Sequence, residues 1–194
     1  MPVLVTSDGF SVIESDSIAR YLLDKYIDKP PSLIPTNLLE RSLSDQICRV
    51  HDIYISPIQG CMYKAPGTAF STFGTDRKAA LAELKRQLLG IESMLPSLDL
   101  HTKLGAKRPF LCGSEISLAD VTLFPTIIFC EFMLPQFFGW NRGDYLGTRL
   151  SAWFDRMSTE PAAAAVKAEM MAPLEGWKAN GRFEPIIKEM LAST

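Results

Sequence analysis

The sequence predicts a mostly α-helical protein that opens with a short β-β-α segment. Apolar residues recur at helical spacing through most of the chain beyond residue 36. An Asp-Gly pair separates two short apolar runs at the start, and a proline-rich stretch divides the two parts. The expected organisation is a first segment over residues 1–29 and an all-helical domain over residues 36–194.

Pro2 to Val5 reads as a strand, Ser7-Asp8-Gly9 as a turn and Phe10 to Ile13 as the return strand. Ser15 to Tyr26 reads as a helix, with Ile18, Leu22 and Tyr26, and Tyr21 beside them, on one apolar face. The connector from Asp28 to Pro35 holds Pro30, Pro31 and Pro35. A long helix is expected from Leu38 to about Lys64, irregular near Pro57 and Gly60. Thr75 is the expected cap of a helix through Leu81, Leu84, Leu88 and Ile91 that stops near Pro96. After a polar loop to Ser114, an apolar helix is expected from Leu118 to about Leu134, and another from Tyr145 to Ser158 with Trp153 and Phe154 inward. Helical pieces over Ala162–Met170, Leu174–Lys178 and Pro185–Leu191 close the chain.

Composition narrows the function. In 194 residues, 47% are hydrophobic and 22% charged, which suits a folded core and argues against disorder. The net charge of -2 lacks the basic surplus from which a nucleic-acid binder draws its affinity, so no nucleic-acid partner is expected. Cys48, Cys61, Cys112 and Cys130 show no Cys-x-x-Cys spacing and read as buried, reduced thiols of a cytosol-like compartment. With only His51 and His101 besides, no metal site is expected. The apolar run from Val121 to Trp140 contains Pro125, Glu131 and Pro135, which favours a buried core helix over a membrane span. Met1 to Val5 lacks the basic region of a secretory signal, so a cytoplasmic location is expected, any targeting segment lying upstream of this start.

Two local patterns stand out. Ser117 and Asp120 form a capping box at the start of the apolar helix: the hydroxyl suits the Asp120 amide, and the carboxylate can reach back to the Ser117 amide. Ile116 and Val121 occupy the positions of a hydrophobic staple, and the expected role is structural. Glu14-Ser15 ends a strand and opens a helix. A helix start offers free amides and the positive end of a dipole to a carboxylate, and Glu14 can accept from an ammonium, so the pair can grip an amino-acid head group. The alternative is that Ser15 is only an N-cap. Pro2 reads either as an edge-strand proline or as a cis-proline beside a ligand site.

The order of these parts resembles the cytosolic glutathione transferases over essentially the whole chain: a Pro-led strand, an Asp-Gly turn, a second strand, Glu14-Ser15, a helix with Tyr21-Leu22, a proline-rich linker, Ile116 to Asp120 opening a buried helix, Trp153-Phe154 and Pro161. The resemblance implies an all-helical C-terminal domain preceded by part of a thioredoxin-like domain. It implies that Pro2 is cis, that Met1 offers backbone hydrogen bonds to the cysteinyl part of glutathione, and that Glu14 and Ser15 hold the γ-glutamyl head. The electrophilic co-substrate would lie between the domains, near the stretch of His51, Tyr54, Ile55 and Ile58. The implied reaction is attack of the glutathione thiolate on an electrophilic carbon or on a peroxide, with glutathione as co-substrate, no bound cofactor, and a homodimer as the assembly.

The sequence departs from the family in one respect. The Tyr, Ser or Cys that stabilises the thiolate belongs to a stretch preceding the Pro-led strand, and no residue here matches it, so the catalytic set is empty. The strand expected to pair with Pro2–Val5 also belongs there, which leaves that edge to a partner or to a longer gene product. A non-catalytic binding or assembly module on the same fold, and a purely helical scaffold, are the competing readings.

Overall fold

The computed structural model describes residues 2–29, 32–95 and 109–192. It is mostly helical with a small two-stranded sheet at the start. Strands β1 (Val3–Val5) and β2 (Ser11–Ile13) pair antiparallel, with Val3 opposite Ile13 and Leu4 opposite Val12. Gly9 closes the turn at φ 85°, a conformation that costs glycine nothing, and the Gly9 amide donates to the Thr6 carbonyl at 3.0 Å. Leu4 and Val12 are half-buried, while Val3, Val5 and Ile13 on the other face are exposed. Helix α1 (Ser15–Lys25) follows, and no residue of it is fully buried. It turns Ala19 and Leu23 onto the helical core and leaves Leu22 and Tyr26 exposed, unlike the expected Ile18–Leu22–Tyr26 face. The helix packs on both the hairpin and the helical core, so one stripe does not describe it.

The connector is stitched down. The Leu33 carbonyl accepts from the Leu118 amide at 2.9 Å, and the Pro35 carbonyl accepts from Arg41 Nε at 3.2 Å. Helix α2 (Leu38–Val50) is capped by Asn37, whose side chain accepts from the Leu39 and Glu40 amides. It widens into a π-helical turn over His51–Ile55, then tightens into a 3-10 turn over Gln59–Met62. The irregularity thus begins earlier than expected. Pro57 has no amide to donate, and its ring would meet the Ile53 carbonyl of a regular helix.

Helix α3 (Arg77–Met94) is capped by Asp76, not Thr75: its carboxylate accepts from the Ala79 amide at 2.9 Å. Leu81, Leu84, Leu88 and Ile91 are buried, as their spacing predicts. Helix α4 (Leu118–Phe138) runs through Pro125 and Pro135 and ends at Gly139 with φ 67°. It is long and apolar enough to cross a bilayer, yet 67% of its apolar window is buried inside the protein. Of its two charged residues, Asp120 stands in the first turn, and Glu131 meets Arg142 Nε at 2.9 Å and accepts from Tyr145 Oη at 2.6 Å.

The expected Tyr145–Ser158 helix is two pieces, α5 (Arg142–Tyr145) and α6 (Thr148–Met157). Glu92 of α3 caps α6 by accepting from the Arg149 and Leu150 amides at 3.1 and 2.8 Å. Arg149 reciprocates on the Glu92 carbonyl at 2.6 Å. A Cβ at Gly147 would overlap the Glu92 side chain and displace it from this capping position. The two expected helices on either side of Pro173 are one, α7 (Pro161–Ala179), with Pro161 in its first turn. Helix α8 (Glu184–Ala192) ends the described chain and is tied to α3 by Arg77 Nε on Glu189 at 2.7 Å. Arg77 is only 2% exposed, and it also donates to the Cys61 and Lys64 carbonyls, so one guanidinium joins the 3-10 turn, α3 and α8.

Candidate functional site

The junction of β2 and α1 is backbone-strained. Glu14 stands at φ 68°, ψ 130°, with φ in the range that favours glycine. Such strain persists only where the surroundings impose it, and it concentrates at functional positions. Glu14 occupies the N-cap position and its side chain makes no capping hydrogen bond; Ser15 is the first helical residue. Among the described residues no hydrogen bond engages either side chain, and both are exposed. A carboxylate, a hydroxyl and the free amides of the first turn are therefore presented together. The reading of Ser15 as an N-cap does not describe this helix start. Pro2, at the entry to β1, is exposed, and Met1 lies outside the described residues.

Beside this junction a cleft opens between α1 and α2, lined by Asp16, Arg20, Asp45, Cys48, Arg49 and Asp52. Arg20 Nε meets Asp16 at 2.8 Å and its Nη1 meets Asp45 at 2.9 Å, so one guanidinium bridges the two helices. These carboxylates, Asp16 foremost, push Arg20 still further above its ordinary value. The Cys48 thiol donates to Thr122 Oγ1 at 3.7 Å.

Of the four co-substrate candidates further along, Ile55 and Ile58 are buried in the core. Tyr54 is exposed, and His51 is partly exposed. Both ring nitrogens of His51 are engaged: Nδ1 with Asp52 at 3.1 Å, and Nε2 with Thr126 Oγ1 at 2.9 Å, which itself donates to Gln59 at 3.2 Å. His51 thus braces the π-helical turn against α4. The cleft residues of α2 escaped the sequence reading because charged residues at 45, 49 and 52 read as a solvated face. The available signal was their spacing, which repeats once per turn.

The cysteines are placed as packing residues. All are buried, and burial pushes the Cys48 thiol up to about 11, Cys61 and Cys112 up to about 12, and Cys130 higher still. The folded protein is therefore expected to react with a thiol reagent at pH 8 at none of the four, and at all four once denatured. Rapid labelling of one native thiol would contradict this placement. Among the described residues no three His, Cys, Asp or Glu side chains converge on a metal site.

The second buried constellation is structural. The Asp120 carboxylate accepts from the Ser117 amide at 2.8 Å and hydroxyl at 2.6 Å through Oδ2, and from the Leu111 amide at 2.9 Å and Trp153 Nε1 at 2.8 Å through Oδ1. The expected capping box is present and carries two further donors that the sequence did not announce. Ile116 and Val121 line one apolar surface groove with Phe124, Pro125 and Val166, and Val121 remains 39% exposed.

A β-β-α unit whose helix opens beside the first long helix of an all-α domain has the architecture of the C-terminal portion of a glutathione transferase. Residues 75–156 match the family model "Glutathione S-transferase, C-terminal domain". The chain is 27% identical over 177 residues to glutathione S-transferase F10 of Arabidopsis thaliana, covering 90% of this chain and 76% of that one. Its fold is similar to that of glutathione transferase F2 from Populus trichocarpa (TM-score 0.58, 22% identity, 89% of this chain and 75% of the other). It is similar also to maleylpyruvate isomerase from Pseudomonas aeruginosa (TM-score 0.59, 20% identity, 84% and 78%). Residues 75–156 thus carry the family's C-terminal domain, and the chain as a whole is similar to glutathione S-transferases over most of its length.

Proposed function

We propose that this protein binds glutathione at the β2–α1 junction and conjugates its thiolate to an electrophilic small molecule held in the cleft between α1 and α2. The observation that carries the reading is the strained backbone of Glu14 at a helix start where its carboxylate and the neighbouring Ser15 hydroxyl are exposed and unengaged among the described residues. The γ-glutamyl head of glutathione has an ammonium for Glu14 and a carboxylate for Ser15 and the amides. Residues 1–29 would then be the glutathione-binding segment, with Met1 and Pro2 at the cysteinyl part, and residues 36–194 the helical domain that supplies the co-substrate wall. His51 and Tyr54, which follow the cleft residues of α2, would extend that wall, and the buried Ile55 and Ile58 would support it from the core. Glutathione is a co-substrate here and not a resident cofactor. A homodimer in the cytoplasm, acting on carbon electrophiles or peroxides, is the setting this reading implies.

Calorimetry with glutathione tests it. Ser15→Ala is expected to weaken binding about tenfold, the value of one charge-assisted hydrogen bond, and to leave the melting temperature almost unchanged because Ser15 caps nothing. Equal affinity in the variant would sink the assignment. A second reading, a non-catalytic glutathione-binding module, is favoured by one observation: burial raises the thiol values of every cysteine and the phenol of Tyr145, so none of these groups supplies a ready anion. Turnover of a model aryl halide by the protein separates the two.

A further inference from the structure

The cleft between α1 and α2 contains an arginine that finds no acceptor among the described residues. Asp45 and Arg49 stand one helical turn apart on α2, the spacing at which an acid and a base normally pair. Here Asp45 is turned across the cleft to Arg20, which also holds Asp16. The remaining acid of the cleft, Asp52, pairs with His51. Every carboxylate lining the cleft is thus engaged elsewhere, and Arg49 has no hydrogen-bonding or ionic partner among the described residues. The thiol beside it, Cys48, is held neutral by burial and offers no competing anion.

We propose that Arg49 is the carboxylate-recognising residue of this cleft, which makes its ligand an organic acid. The planar guanidinium fork matches a carboxylate with two parallel hydrogen bonds, and an arginine already satisfied by the protein would not select for one. The carboxylate has two available sources, the glycyl end of glutathione or the co-substrate, and the chemistry that Arg49 reads is the same in both. The inference rests on the glutathione reading of Glu14 and Ser15 and specifies what the adjoining cleft selects.

Calorimetry on the full chain distinguishes the sources. Four ligands are needed: glutathione, its glycyl ethyl ester, S-carboxymethylglutathione and the near-isosteric S-carbamoylmethylglutathione. If Arg49 reads the glycyl end, glutathione binds about tenfold tighter than its ester, and Arg49→Ala equalises the two. If it reads the co-substrate, the carboxymethyl conjugate binds about tenfold tighter than the carbamoylmethyl one, and Arg49→Ala equalises that pair instead. Arg49→Lys keeps the charge but not the fork and should restore only part of either preference. Arg49 is exposed, so the melting temperature should not move in either variant. The proposal is overturned if the tripeptides bind but neither preference exists, or if either persists undiminished in Arg49→Ala. Failure of every tripeptide to bind the unmodified protein would overturn the glutathione reading, and this inference with it.

Discussion

Asp120→Ala is expected to cost about 3–5 kcal/mol, a large part of a domain's stability. The reason is the number of groups that lose their acceptor together. The Ser117 and Leu111 amides and the Trp153 indole N–H are buried donors aimed at one carboxylate. A buried donor left unsatisfied costs about 1–3 kcal/mol. The same change undoes the start of α4 and its tie to α6, the two elements that carry Phe124, Trp153 and Phe154 in the core. Urea denaturation followed by circular dichroism would measure it, and a loss below about 1 kcal/mol would contradict the expectation.

The pH dependence has a definite sign. Burial pushes the Asp120 carboxyl above its ordinary value, although the four hydrogen bonds pull the other way. The native state therefore holds a proton more tightly than the unfolded chain. The stability this adds is fully present below the unfolded carboxylate value of about 4 and is lost as pH rises through the folded value. Asp120→Asn removes that titration, so its cost relative to the unmodified protein should shrink as pH rises.

Glu14→Gly is expected to move stability and binding in opposite directions. Glycine adopts φ 68° without penalty, and strain of this kind costs about 1–3 kcal/mol. Part of the gain returns as the larger entropy of glycine in the unfolded chain, leaving a net of about 1 kcal/mol and a melting temperature higher by about 2–4 °C. Glutathione affinity should fall at least tenfold, since the carboxylate that answers the ligand ammonium is gone. A stabilised variant with undiminished affinity would mean that the strain serves the fold alone. A destabilised one would mean that the Glu14 side chain contributes to packing.

Much of the helical domain was legible because its signals are local. The spacing of Leu81, Leu84, Leu88 and Ile91 determines which face of α3 is buried wherever that helix lies. Ser117 and Asp120 sit within one turn of each other, so their box follows from sequence, as does the Asp8-Gly9 turn. The junction at Glu14-Ser15 was legible in position for the same reason, but its strain was not. A positive φ at glutamate is imposed by where β2 and α1 must lie, and no local preference asks for it.

What only the tertiary structure decided are the partners brought from far along the chain. The sequence determines that Asp45 and Arg49 lie on one face of a helix; only the packing of α1 against α2 gives Asp45 to Arg20 and leaves Arg49 without a partner among the described residues. It determines a break near Pro57, while the contact of His51 with Thr126 on α4 accompanies a π-helical turn. Arg77 reads as a surface charge and is instead buried across three elements, because a guanidinium with enough acceptors can be buried at tolerable cost. Local periodicity specifies faces and ends of helices. Which charges meet depends on how those faces are docked, and that is settled by the burial of the whole core at once.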